Sequence, residues 1–195
     1  MCMQKMICGI ALNDIGKPKD KIGEKALFTW YCMIKRCYDK NHISYKYYKD
    51  CDVCKEWLVF SNFLEWFREN YIENYHLDKD ILSKDKKIYS PETCCFIPQA
   101  LNKLLVFHTN KKKNKKLPIG VGFDKQVNKY IGFGVYKERK LFLNVKDAYN
   151  YYKHNKEYHI KELARFYFEN NKIPKRVFDA LINYKLKNFE SYEKK

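Results

Sequence analysis

Tyr75-His-Leu-Asp-Lys-Asp-Ile-Leu82, a short lysine-rich stretch to Lys87, then Ile88-Tyr-Ser-Pro-Glu-Thr-Cys-Cys-Phe-Ile-Pro98 and Gln99-Ala-Leu-Asn102 form the segment around which the chain is organised. The pattern predicts an extended segment, a turn at 83–87, a second extended segment at Ile88 and Tyr89 that closes a hairpin, and a helix from about Pro98. Alternate residues of a strand share a face, so His76, Asp78 and Asp80 are expected along one side of the first segment. An imidazole and two carboxylates at that spacing suit a divalent cation with a base beside it, though spacing alone reads first as a surface strand with solvated carboxylates and an incidental histidine. Glu92 adds a further carboxylate nearby.

Working outward, Leu27, Trp30, Ile34 and Cys37 recur at spacings of three and four, which predicts an amphipathic helix over 24–38 with Trp30 and Met33 in the core. Trp57, Phe60, Phe63, Leu64, Phe67 and Tyr71 predict a second helix over 55–71, with Ser61 or Asn62 available to interrupt or cap it. Tyr45 to Lys49 is aromatic and basic. It reads equally as a loop over the core or as a segment skirting a nucleic acid. Residues 1–23 show no clear period and read as an N-terminal arm, with a flexible lead-in at Gly16-Lys-Pro-Lys-Asp20.

In these pieces the sequence resembles the HNH nucleases of bacteriophages and their hosts. The resemblance rests on Trp30 with Met33, Arg36-Cys-Tyr38, Val53-Cys-x-x-Trp57, Phe60-x-x-Phe63, Leu77-Asp-Lys-Asp80, Tyr89-Ser-Pro-Glu-Thr-Cys94 and Asn102. It spans about residues 25–105 and implies a metal-dependent DNA endonuclease or nickase, with magnesium the expected ion. Carried over position by position, Asp78 falls on a metal-ligand position and Asp80 is a second candidate. Lys79 stands where many relatives have a histidine base, Thr93 where they have asparagine, and Asn102 on the asparagine of the following helix. Lysine is a poor base and a better phosphate clamp, so His76 is the candidate base.

The 195 residues carry 39 Lys and Arg against 23 Asp and Glu, for a net charge of +16. That charge is uneven: residues 1–110 are near balance at +3, and residues 111–195 carry +13. Such a concentrated field calls for a polyanionic partner, nucleic acid first and an anionic membrane surface second. Met6 to Leu12 is too short and too weakly apolar for a signal peptide or membrane span, so reduced thiols in a cytoplasm are expected, that of a bacterial host if the chain is phage-encoded. Cys51-Asp-Val-Cys54 has zinc-ligand spacing, but Cys94 and Cys95 are adjacent rather than two apart. Buried thiols are therefore expected in place of a structural zinc.

Residues 110–116 hold five lysines and no apolar side chain, and read as a linker that follows a phosphate backbone through Lys111, Lys112, Lys113, Lys115 and Lys116. Beyond it the residues alternate. Ile119, Val121 and Phe123 are assigned to one face of a first strand, Ile131, Phe133 and Val135 to a second, and Leu141 and Leu143 to a third. On the other face Gly120, Gly122, Gly132 and Gly134 leave room for a backbone to approach closely, and DNA is the expected visitor. Tyr130, Tyr136 and Phe142 stand on that face, with Lys125, Lys129, Lys137, Arg139 and Lys140 at its turns. A long helix to about Asn170 and a shorter one from Pro174 follow. Leu117-Pro-Ile-Gly-Val121, the three strands and Asp147-Ala-x-x-x-Tyr152 resemble the APETALA-type DNA-binding domain, which implies groove recognition by the sheet.

The expected fold class is α+β: helices leading into a hairpin-helix core, then a three-stranded antiparallel sheet packed by a long helix. The expected divisions are an arm at 1–23, a nuclease-like domain at 24–109, a linker at 110–116 and a DNA-binding domain at 117–195. An inactive DNA-binding or regulatory protein on the same architecture is the alternative, and charge alone leaves RNA open. No membrane and no small-molecule substrate is expected.

Overall fold

Asp20 accepts the backbone N–H of Gly23 at 2.9 Å and so caps the first long helix, α1 (Lys21–Tyr38). The computed structural model describes residues 5–83, 86–105 and 117–193. Its fold is α+β, and the chain divides into two compact units, Met1–Ile97 and Pro98–Lys195. The boundary lies ahead of the lysine-rich segment 110–116, which falls outside the described residues.

The first unit opens with a hairpin, β1 (Lys5–Ile7) against β2 (Ala11–Asn13). These residues are no free arm. Ile7 and Ala11 are buried in the same core as α1, and Asp14 accepts the backbone N–H of Ser61 at 3.0 Å. Strands of three residues are too short to declare a period, which is why the sequence reads as irregular there.

α1 buries Ala26, Trp30, Met33, Ile34 and Cys37, the expected stripe. A short α2 (Tyr45–Tyr48) and β3 (Asp52–Val53) follow. The second helical segment is broken: a 3-10 turn at Glu56–Leu58 ends at Val59, whose extended backbone starts α3 (Phe60–Asn70). Asn62 reaches back to the carbonyl of Glu56 at 2.9 Å and so braces the break. Trp30 donates its indole N–H to the carbonyl of Trp57 at 2.6 Å, giving the one polar atom of that buried ring a partner. Trp57, Phe63, Trp66, Phe67, Tyr71 and Phe96 pack ring on ring beside it.

The central stretch forms β4 (Tyr75–Asp78), β5 (Ile88–Tyr89) and β6 (Cys95–Pro98). Its pairing differs from the expected hairpin. β4 pairs with β6, while β5 lies parallel to β3 through Asp52–Ile88 and Val53–Tyr89. The segment Ser90-Pro-Glu-Thr93 makes this possible by folding on itself, with the Thr93 hydroxyl donating to the Ile88 carbonyl at 2.7 Å and accepting the Ser90 N–H at 3.0 Å.

The second unit begins with α4 (Gln99–Leu105). β7 (Val121–Asp124), β8 (Lys129–Phe133) and β9 (Arg139–Phe142) make an antiparallel sheet in chain order. Val135 is not part of β8: the chain leaves the strand at Phe133 and makes a 3-10 turn in which Tyr136 and Lys137 have positive φ. The long helix α5 (Val145–Glu169), capped by the Asn144 side chain, lies on the sheet. It buries Ala148, Tyr152, Lys156, Ile160 and Ala164, four residues apart, with Tyr149 beside them. α6 (Lys175–Ile182) packs Val177 and Leu181 inward, and a last turn, α7 (Glu190–Glu193), follows.

Candidate functional site

In the first unit, β4 carries His76 and Asp78, both half-buried. Asp78 Oδ1 accepts the backbone N–H groups of Asp80 and Ile81, each at 2.9 Å. This turn ends the strand, so alternation stops at Asp78 and Asp80 does not share its face. Burial raises the Asp78 carboxyl above the ordinary aspartate value; the Ile81 N–H pulls it back and the Asp80 charge adds to the rise.

Asp80 is exposed and forms an ion pair with Lys79. Lys79 itself is 6% exposed and lies over the rings of Tyr48 and Tyr89, at 5.7 and 5.6 Å. Burial pulls its ammonium down, but Asp80, with Cys51 and Tyr48, more than offsets this and holds it above the usual lysine value. Lys79 is thus enclosed, which corrects the expectation of a phosphate clamp. Thr93 is buried as well, its hydroxyl engaged by Ile88 and Ser90, so it is not placed as a metal ligand. The exposed Glu92 accepts the Ser90 hydroxyl at 2.6 Å. Asn102 belongs to α4 in the second unit.

Among the described residues no group of three or more His, Cys, Asp or Glu side chains is arranged to hold a metal ion. Asp78, its Oδ1 fixed by two backbone N–H groups, is the carboxylate of this turn that could hold a hydrated magnesium ion. Cys51, Cys54, Cys94 and Cys95 are thiols outside any disulfide, and burial pushes Cys94 up to about 12 and Cys54 up to about 11.

In the second unit the register sorts the sheet into two faces. Val121 lies opposite Gly132 and Lys140, and Phe123 opposite Tyr130 and Phe142. That face meets α5. A Cβ on Gly132 would fall 2.6 Å from the Ala148 carbonyl, one on Gly120 would sit in the ring of Tyr152, and one on Gly134 would meet Glu138 and Asn155. The neighbours of Gly120, Gly122 and Gly134 are side chains, and of the four glycines only Gly132 meets a backbone, that of the protein's own helix and not of DNA. Tyr130 faces that way too and packs edge-on against Phe123 at 5.0 Å, so it leaves the candidate DNA-binding set.

Among the described residues no helix packs on the opposite face. Asp124 pairs with Lys129, Gly122 with Ile131 and Ile131 with Leu141, and Phe133 with Arg139. Gly122 is flat because the Phe133 ring lies over it, 3.0 Å from where its Cβ would stand. Phe133 is 39% exposed and Leu141 46%, while Lys129 and Arg139 are exposed at the two ends of the patch. Sequence reading assigned Ile131, Phe133 and Leu141 to the covered side and so missed them; the signal lay in the turn. Four residues, Lys125 to Asn128, join β7 to β8, with Asn128 at φ 52°. That loop length sets odd positions of β7 beside even positions of β8. Of the other expected DNA contacts, Lys125, Lys137 and Lys140 are exposed, and Tyr136 is exposed with its ring edge-on to His159. Lys111, Lys112, Lys113, Lys115 and Lys116 lie outside the described residues.

No family model matches the chain, and no curated protein or solved structure matches it. Among the described residues no helix is long and apolar enough to cross a membrane.

Proposed function

We propose that this chain is a metal-dependent DNA endonuclease or nickase of the HNH type, of the homing kind found in phage genomes, which holds duplex DNA with the sheet of its second unit. The observation that carries the DNA part is the open sheet face, with cations at its ends and an apolar centre, in a half of the chain whose net charge is +13. The resemblance at Leu77-Asp-Lys-Asp80 and Tyr89-Ser-Pro-Glu-Thr-Cys94 supports the nuclease part.

His76 would act as general base and take the proton of the attacking water. Asp78 would hold the divalent ion, which when bound supplies positive charge to the scissile phosphate. Lys79 and Asp80 would act on the fold, closing the region between Tyr48 and Tyr89. The burial of Lys79 and Thr93 favours a second reading, a DNA-binding or regulatory protein that has lost cleavage.

Plasmid incubation with magnesium or manganese separates the two. Nicked or linear product from the parent, lost in His76→Ala while binding persists, supports the nuclease. Salt-sensitive binding without cleavage of supercoiled DNA or of DNA carrying the native locus favours the second reading.

A further inference from the structure

We infer that the open face of the sheet selects thymine-rich duplex, with Ile131, Phe133 and Leu141 packing against thymine 5-methyl groups in the major groove. This rests on the proposed binding of duplex DNA by the second unit, and deepens it.

Three strands about 4.8 Å apart make a face roughly 10 Å across, which a major groove roughly 12 Å wide admits. Along the strands, the rows from Asp124–Lys129 through Gly122–Ile131–Leu141 to Phe133–Arg139 cover about 13 Å, close to four base-pair steps. Lys129 and Arg139 stand at the ends of that span, where phosphates border the groove.

The two acids of the region oppose this little. Asp124 Oδ1 accepts the backbone N–H of Gln126 at 2.9 Å in the hairpin turn. Glu138 accepts from Tyr151 and Asn155 of α5, at 3.3 and 3.2 Å, and is drawn to the helix side.

Among the described residues, the face offers no hydrogen-bonding side chain between the cations. Gly122, Ile131, Leu141 and Phe133 cannot read the donors and acceptors that distinguish guanine, cytosine and adenine. The major groove displays one apolar group, the thymine methyl, and it is what an apolar centre can recognise. Arg139, paired across the strands with Phe133, can make a bidentate base contact at the edge of the face.

Binding of the full chain to matched duplexes tests this: one rich in thymine, the same with uracil at every thymine, and a G·C-rich duplex with or without 5-methylcytosine. Removing the methyls should weaken binding about fivefold or more, on the order of one buried methyl or two. Methylating cytosine should strengthen it. Phe133→Ala and Leu141→Ala should erase both differences while leaving salt-sensitive binding in place. Equal affinity for the thymine and uracil duplexes overturns the inference and leaves DNA binding standing. A thymine preference unchanged in both variants overturns its assignment to this face. Failure to bind any duplex overturns the parent reading, and the inference with it.

Discussion

Gly132 of β8 lies so close to Ala148 of α5 that a Cβ on the glycine would stand 2.6 Å from the alanine's carbonyl oxygen. Backbone meets backbone there, and Tyr151 and Phe142 close the remaining sides at 2.8 and 3.1 Å. Gly132→Ala should therefore push the helix off the sheet, destabilising the second unit by about 1–3 kcal/mol. Urea denaturation of the parent and variant measures it.

Arg139 and Lys129 should differ in kind. Arg139→Ala is expected to weaken DNA binding by about 1–3 kcal/mol and to relax preference at one position, whereas Lys129→Ala weakens all sequences alike and lowers the salt slope by about one. Titrations of several duplexes at several salt concentrations distinguish them.

Asp78 orients its own turn through Oδ1, and an asparagine side chain keeps that oxygen. Asp78→Asn should leave the unfolding midpoint within about 0.5 kcal/mol of the parent while abolishing metal-dependent cleavage. Asp78→Ala should lose the turn as well, and melt earlier by about 1 kcal/mol or more. Thermal unfolding beside plasmid nicking reads both.

Lys156 is 6% exposed, donates to the Tyr152 hydroxyl at 3.3 Å, and is held by burial at about 8, below the ordinary lysine value. The unfolded chain holds this proton more tightly than the folded one. Below pH 8 the ammonium is charged in both states and its burial penalty is fully present; as pH rises from about 8 towards 10 the folded state sheds the proton first, and stability rises. The gain approaches a few kcal/mol, on the order of 3. Denaturation at pH 7, 8, 9 and 10 should show the rise in the parent and its loss in Lys156→Met.

The helices were legible because their apolar stripes carry a 3.6-residue period: Trp30, Ile34 and Cys37 are buried as read, as are Phe63 and Phe67. What failed was everything set by one turn. Asp80 left the face of Asp78 because a side-chain oxygen ended the strand, and Ile131, Phe133 and Leu141 changed sides because a loop has four residues. The partner of β4 was misread for a related reason, since a buried threonine folds Ser90 to Cys94 into a local knot of hydrogen bonds that no period announces. Alternation says which residues travel together, and only the turns say where they go. Lys79, read as a phosphate clamp, is enclosed because burial of a lysine depends on Tyr48 and Tyr89, distant in the chain.

The turn at Asp78 also bears on descent. Because the fold uses an oxygen there and the proposed chemistry uses the charge, the two demands fall on different properties of one side chain. A single nucleotide change from an aspartate codon to an asparagine codon would keep the shape and remove the cut. Under the proposed function, lineages carrying it would retain a soundly folded protein able to bind, so one step would lead from cutting to binding alone.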